Sequence, residues 1–364
     1  MNIHLATQSY ETWLRSFFPL NEEDLNYKHE QLSRTDTPFP FFRGTYYRWV
    51  GAWFSLCKEL SEAPKVIGVG DAHVENFGTW RDEEGRLCWG VNDFDEVDYM
   101  AYTQDLVRLS ASYRLARQAG LDELSYEEAA KAIIRGYRRN IEEDGHPFVL
   151  EELHPELRAL AMIEERDPEY YWNRLQNQLA EPSLPLPNEA QSALEMALPL
   201  TVTDLKYYLR KRVGVGSLGK PRYVALMKSF GSWIAREAKA LTPPATAWYL
   251  GYPTQEHQIK GLLSKLTRSP DPFLMVKGNW LVRRLAPRSS RIELNHLTSI
   301  RDQEHLLQAM GAELANIHLA TRQVRESILK DLEARDKHWL AEATRVMVQY
   351  TLNDWKAWRT TPKS

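Results

Sequence analysis

The stretch KVIGVGDAHVENFGTW, Lys65 to Trp80, begins as a short apolar run and ends in an abrupt polar cluster. An apolar strand has no packing reason to finish in Asp71, His73 and Asn76, and α/β proteins place chemistry at such strand ends. Asp71 suits a base toward a hydroxyl, and the side-chain oxygen of Asn76 suits a hard cation. Taken alone, the segment reads equally as a turn whose Asp and Asn bond their own backbone. After the turn RDEEGR, Arg81 to Arg86, the run LCWGVNDFDEVD (Leu87 to Asp98) reads as a second strand. It finishes in four acids, Asp93, Asp95, Glu96 and Asp98. Carboxylates so close repel and raise one another's pKa unless a cation is present. Alternation along a strand puts Asp93 and Asp95 on one face, where they can share a divalent ion; the alternative is a solvated acidic turn. The interval from Glu75 to Val91 suits a hairpin that returns the second cluster beside the first, which makes a Mg²⁺ site.

Around this centre the chain is mostly helical. Residues to about 36 are polar with scattered aromatics and read as a surface wrap. PFPFFRGTYYRWVGAWFSLCKEL, Pro38 to Leu60, reads as an extended entry followed by an amphipathic aromatic helix with Gly44 near its start. Arg43 is either a surface arginine covering these aromatics or one that reaches the cleft. From Tyr102 to about Asp144 apolar residues recur at three- and four-residue spacing, and helix continues to about Gln178. The Pro-rich opening of Leu179 to Leu200 marks the main boundary and shows no strand pattern. Beyond it, Arg212 to Phe230 and Trp233 to Leu241 read as three strands, the last two a hairpin at Gly231-Ser232. Pro253 to Leu266 reads as a helix and Phe273 to Leu285 as a hairpin turning at Gly278-Asn279, where Lys277 is a weaker phosphate candidate and reads rather as a solvated hairpin residue. From about Thr298 to Trp358 the chain is helical again. The fold class expected is α+β, with a small antiparallel sheet unit (201–295) between a helical unit (1–200) and C-terminal helices (296–364).

The segment GVGSLGKPRY spaces Gly214, Gly216 and Gly219 around Ser217. It precedes a strand rather than a helix, which disfavours a dinucleotide fingerprint. Between antiparallel strands such glycines leave backbone N–H groups free to approach phosphates, although a plain glycine-rich hairpin has the same appearance. A cation is then needed on the third strand. Arg236 and Lys239 are the candidates, and they alternate to opposite faces, so at most one points at phosphates.

Composition narrows the class. The 364 residues are 43% hydrophobic and 26% charged, an ordinary globular mixture with room for two lobes. With 46 Lys+Arg against 49 Asp+Glu there is no basic excess for coating nucleic acid. Two cysteines, Cys57 and Cys88, make no disulfide framework and read as reduced thiols of a cytoplasmic protein. No signal peptide and no membrane-length apolar run is legible. The ten histidines lack zinc-site spacing.

The motifs GDAHxxNFG, NDFDE, DLxRL and GVGSxG together resemble the uncharacterised bacterial domain-of-unknown-function family 2252. The similarity includes FFRG (Phe41 to Gly44), REAKAL (Arg236 to Leu241) and LVRRL (Leu281 to Leu285). That family in turn resembles protein-kinase-like and aminoglycoside-phosphotransferase-like folds. The resemblance implies a bilobal fold binding ATP and Mg²⁺. Asp71 then matches the catalytic Asp, Asn76 the loop Asn on Mg²⁺, Asp93 the metal Asp, and Asp105 the buried Asp bracing the catalytic loop. Asp95 is a second metal candidate and His73 accompanies Asp71. The glycine loop, Ser217 and either Arg236 or Lys239 would neutralise phosphates. The order is reversed relative to kinases, which implies a circular permutation, and Glu256 is the candidate for the helix glutamate. The expected function is ATP-dependent phosphotransfer to an unidentified hydroxyl acceptor, a small molecule or a protein. The rivals are a silent nucleotide-binding protein, a metal-dependent phosphoesterase using Asp71, His73 and Asp93, and AMP transfer from the same site.

Overall fold

The computed structural model describes residues 1–116, 123–151, 153–161, 167–253, 258–287 and 299–360. Five N-terminal helices, α1 (Ile3–Arg15), α2 (Glu22–Leu32), α3 (Phe39–Gly44), α4 (Tyr46–Leu56) and α5 (Lys58–Ser61), precede β1 (Lys65–Gly68). Then come β2 (Phe77–Arg81), β3 (Leu87–Val91), β4 (Asp98–Ala101), α6 (Tyr102–Ala116), α7 (Tyr126–Glu142), α8 (Pro155–Ala161) and α9 (Pro168–Gln176). The middle of the chain holds β5 (Leu179–Ala180), α10 (Asn188–Glu195), β6 (Thr203–Arg210), β7 (Arg222–Ser229) and β8 (Ser232–Ala240). It continues through α11 (Ala245–Leu250), α12 (Gln258–Leu263), β9 (Met275–Lys277) and β10 (Trp280–Leu285). Helices α13 (Ile300–His318), α14 (Arg325–Ala334) and α15 (Trp339–Thr360) complete it. The architecture is mixed α+β, with helix-rich and sheet-containing regions separate.

The helical region surrounds α6, which is buried on every side from Tyr102 to Tyr113, Asp105 and Arg108 included. A helix buried all round shows no amphipathic stripe. Its neighbours α7 and α13 approach closely because glycines face each other's backbone. A Cβ on Gly136 would lie 1.8 Å from the Gln308 carbonyl oxygen, and one on Gly311 2.2 Å from that of Ile133. Two small antiparallel pairs, β1 with β4 and β2 with β3, lie against this core. The larger sheet is antiparallel in the order β5-β6-β7-β8-β10-β9.

Several local expectations are corrected. The first 36 residues hold two capped helices rather than a wrap. Asn2 and Asn21 accept from the backbone N–H groups of Leu5 and Asp24, satisfying otherwise orphaned donors. The extended entry from Pro38 is helix α3, because a proline in the first turn forfeits no hydrogen bond. The first sheet strand lies before Arg212, as β6, and the stretch after it is a loop in which Arg212 and Gly214 take φ of 57° and 69°. The sheet also recruits residues before 200. Strand β5 pairs with β6, and α10 lays Ala190, Ala193 and Leu194 against Ala225, Ala238 and Trp280. Alanine-to-alanine packing of this kind leaves a weak hydrophobic signal in a Pro-rich stretch. Glu256 lies outside the described residues. Among the described residues no helix is long and apolar enough to cross a membrane.

Candidate active site

The loop after β1 is held from beneath by Asp105. One oxygen of its carboxylate accepts from the Val69 N–H at 2.6 Å and the other from Gly70 at 2.8 Å. It also accepts from His318 Nε2 at 3.0 Å, and His318 Nδ1 lies 2.8 Å from the Tyr137 hydroxyl. Gly70, at φ 82°, passes so near Glu96 that a Cβ would sit 2.2 Å from its carbonyl oxygen. These constraints present Asp71 to the cleft. Its Oδ1 accepts from Arg108 Nε at 2.8 Å and pairs with Nη2 at 2.7 Å. The buried guanidinium also donates to the Phe42 carbonyl at 2.9 Å and lies 3.4 Å from the Phe42 ring centroid. Burial raises the Asp71 pKa above its ordinary value, and Arg108 counters only part of that rise. His73 Nε2 stands 3.9 Å from Asp71 Oδ2.

The β2–β3 hairpin, in register Phe77↔Val91, returns the second acidic cluster to the first. Asn92 N–H donates to the Asn76 carbonyl at 3.0 Å. Asp93 and Asp95 lie beyond the end of β3, so strand alternation is not what brings them together. Lys239 does: its Nζ is 3.0 and 3.2 Å from the two oxygens of Asp93 and also pairs with Asp95. Burial works to raise both carboxylates. Lys239 nevertheless holds Asp93 well below the usual carboxylate range, while burial and the Asp93 charge leave Asp95 raised. Asn76 donates through Nδ2 to the Asp71 and Asp93 carbonyls at 3.0 and 3.1 Å. Its Oδ1 and the Oδ1 of Asp95 are buried with no hydrogen-bond partner among the described residues.

The glycine loop closes over this group. Val215–Ser217 form a 3-10 turn between Gly214 and Gly219, whose φ values of 69° and 95° favour glycine. A Cβ on Gly216 would lie 3.2 Å from the Arg43 carbonyl oxygen and 3.9 Å from Asp71 Oδ2. The loop thus meets the Asp71 segment and helix α3 edge to edge. Asp71, His73, Asn76, Asp93, Asp95, Gly214, Gly216 and Ser217 line one narrow cavity of about 40 Å³. Arg236 is not there. It faces the other side of β8, donating to the Ala197 and Ala235 carbonyls at 3.0 Å each and stacking 4.1 Å from the Phe273 ring centroid. The alternation of β8 therefore turns Lys239, and not Arg236, toward the cleft. Glu96 and Lys220 also line the cavity, and burial pushes Glu96 up to about 7 against the charge of Lys220.

Reading the chain alone misses Arg108. Its signal is a charged residue at an apolar spacing inside DLVRL. It also misses Glu313, which supports the hairpin from α13. The Glu313 carboxylate accepts from Val91 N–H at 3.2 Å and from Asn316 Nδ2 at 2.9 Å. Burial lifts it to about 7, against the lowering effects of Arg268 and these hydrogen bonds. A carboxyl whose folded pKa exceeds its unfolded value binds extra protons when folded, so stability falls as pH rises between the two values. Urea denaturation of wild type and Glu313→Gln should therefore show their stability difference moving against wild type by about 3 kcal/mol between pH 4.5 and 7.5. A pH-independent difference would contradict the assignment.

Residues 20–181 match the family model described as "Uncharacterized protein conserved in bacteria (DUF2252)". No curated protein and no solved structure matches the chain. The matched segment carries Asp71, His73, Asn76, Asp93, Asp95, Asp105 and Arg108. The glycine loop and Lys239 lie outside it. Among the described residues no group of three or more His, Cys, Asp or Glu side chains is arranged to hold a metal ion. The acidic group here is two carboxylates, with an amide oxygen as the third hard donor.

Proposed function

We propose that the protein is a phosphotransferase that uses ATP and Mg²⁺, working in a circularly permuted, bilobal, kinase-like arrangement. One observation carries this reading: Lys239 of β8, the second strand after the glycine loop, pairs with Asp93 and Asp95. Asp71 and Asn76 stand beside them and the glycine loop lies above. A glycine loop over phosphates, a strand lysine, a metal Asp and a loop Asn are the parts such transfer needs, and their order along the chain is immaterial to the chemistry. The order β6, glycine loop, β7, then β8 with its lysine, supports the permuted reading.

The fit for Mg²⁺ rests on donor chemistry. Asn76 Oδ1 and Asp95 Oδ1 are buried oxygens with no partner among the described residues, beside the ionised Asp93. Hard oxygen donors of this kind suit Mg²⁺, which keeps waters and takes its remaining ligands from phosphates. When bound, the ion would neutralise charge on the phosphate oxygens. Asp71 orients an acceptor hydroxyl and takes its proton, with Arg108 fixing the carboxylate. Gly214, Gly216 and Ser217 line the side on which the phosphates would sit, whereas Gly219 packs against Leu25 outside the cavity, and Lys239 would exchange part of its contact with the acids for the phosphates.

The test is a thermal-shift titration with ATP, with and without Mg²⁺, on wild type and Asp93→Asn. A ligand at 100 times its Kd that binds only the folded state adds about 2.7 kcal/mol. The expected result is a Mg²⁺-dependent shift that the variant loses. No shift with any nucleotide at millimolar concentration would overturn the reading.

A further inference from the structure

A second, larger cavity of about 410 Å³ opens from the same site, sharing Asn76, Asp93 and Gly214 with it. Its walls carry Arg174, Arg210, Arg222, Arg268, Arg283 and Arg284. Arg43 and Arg212 line it too, but are already paired with Glu75 and Glu23. Three of the six guanidinium groups converge on one buried carboxylate, Glu237 of β8. Arg210 reaches it at 2.6 Å, Arg222 at 3.2 Å and Arg283 at 2.7 Å. The other acids facing these six are Asp93, which acts on Arg283, and Asp271, beside Arg268 and Arg284. Six guanidinium groups thus face three carboxylates.

Concentrated positive charge at low exposure is costly unless an anion completes it. The side chains of Arg210 and Arg222 are 11% and 5% exposed. Arg222 Nε is buried with no hydrogen-bond partner among the described residues, as is Arg284 Nε. Guanidinium groups bind phosphates through paired, directional hydrogen bonds, which a cluster of six can offer to several at once.

We propose that this cavity binds a run of phosphate groups, carried either by the nucleotide or by the acceptor, with Glu237 holding three arginines in place for them. The inference deepens the phosphotransfer reading and rests on it only in setting the phosphates beside Asp93. The probe is sodium tripolyphosphate with EDTA, titrated by calorimetry into the full chain. Wild type should show saturable, salt-sensitive binding with little response to sulfate. The double variant Arg174→Gln/Arg284→Gln, at the more exposed positions, should bind about tenfold more weakly. Glu237→Gln should melt earlier and, at a temperature where it is fully folded, bind tripolyphosphate more weakly, because the three arginines lose the carboxylate that holds them in place; unchanged binding by the folded variant would mean that Glu237 does not position them. Competition by ATP assigns the phosphates to the nucleotide, and simultaneous binding assigns them to the acceptor. No saturable binding, or sulfate binding of equal strength, overturns the proposal. Saturable tripolyphosphate binding with no Mg²⁺-dependent ATP shift would sink the phosphotransfer reading alone, and an ATP shift with no tripolyphosphate binding would sink this proposal alone, so the two failures give different results.

Discussion

Asp71→Asn should lower the transfer rate by about 10²- to 10⁴-fold per folded molecule, the contribution of a positioned general base. The substitution keeps the shape of the side chain and an oxygen to accept from Arg108, but removes the carboxylate proposed to take the acceptor's proton. The Asp71 carboxylate is only 16% exposed and its pKa is raised by burial. A raised pKa makes this carboxylate a stronger base than an exposed one. The Mg²⁺-dependent ATP shift should survive, because Asn76, Asp93 and Lys239 are untouched. The assay is single-turnover transfer of the γ-phosphate, scored against the fraction folded. A rate within threefold of wild type would remove Asp71 from the chemistry. Wild-type binding with no turnover toward a broad acceptor panel would favour the silent nucleotide-binding protein instead.

Arg108→Met should cost about 3–5 kcal/mol of stability, among the largest effects of any single substitution in this chain. The loss comes less from the missing attraction than from what remains. Asp71 keeps its burial and loses the guanidinium bonded to its Oδ1. The Phe42 carbonyl also loses its guanidinium donor. Methionine fills much of the same volume over the Phe42, Tyr46 and Trp49 rings, so packing loss is limited. The double variant Arg108→Met/Asp71→Asn removes both charges and should recover a substantial part of the loss. Urea denaturation of the four proteins gives the coupling directly. Strict additivity would mean that the pair does not act as a unit.

The C-terminal helices α13, α14 and α15 and the β9–β10 hairpin were legible from apolar spacing and turn residues, whereas α10 and α11 were not read as helices. The hairpin turns at Gly278-Asn279 as its residues require. Helix α6 was legible as helix but not as the centre of the core. Its charged members Asp105 and Arg108 face partners distant in sequence, His318 and Phe42, which no local pattern reveals. The strand read from Arg212 lies wholly past β6, which spans Thr203–Arg210, for a local reason. RVGVG carries the apolar alternation of a strand, but Arg212 and Gly214 adopt backbone angles that end the pairing of β6.

The candidate site divides in the same way. The chain alone determined which residue types stand ready: Asp71, His73 and Asn76 after one apolar run, Asp93 and Asp95 after another, and glycines before a strand bearing Arg236 and Lys239. Their proximity along the chain made the hairpin return of the acids readable. Only the tertiary structure decided between Arg236 and Lys239, because a strand's alternation has two faces and packing selects the inward one. Here α10 and Phe273 cover the Arg236 side, and Asp93 and Asp95 meet Lys239 on the other. The arginine cavity was likewise invisible beforehand. Arg210, Arg222 and Arg283 belong to three strands, and only their register against Glu237 concentrates the charge.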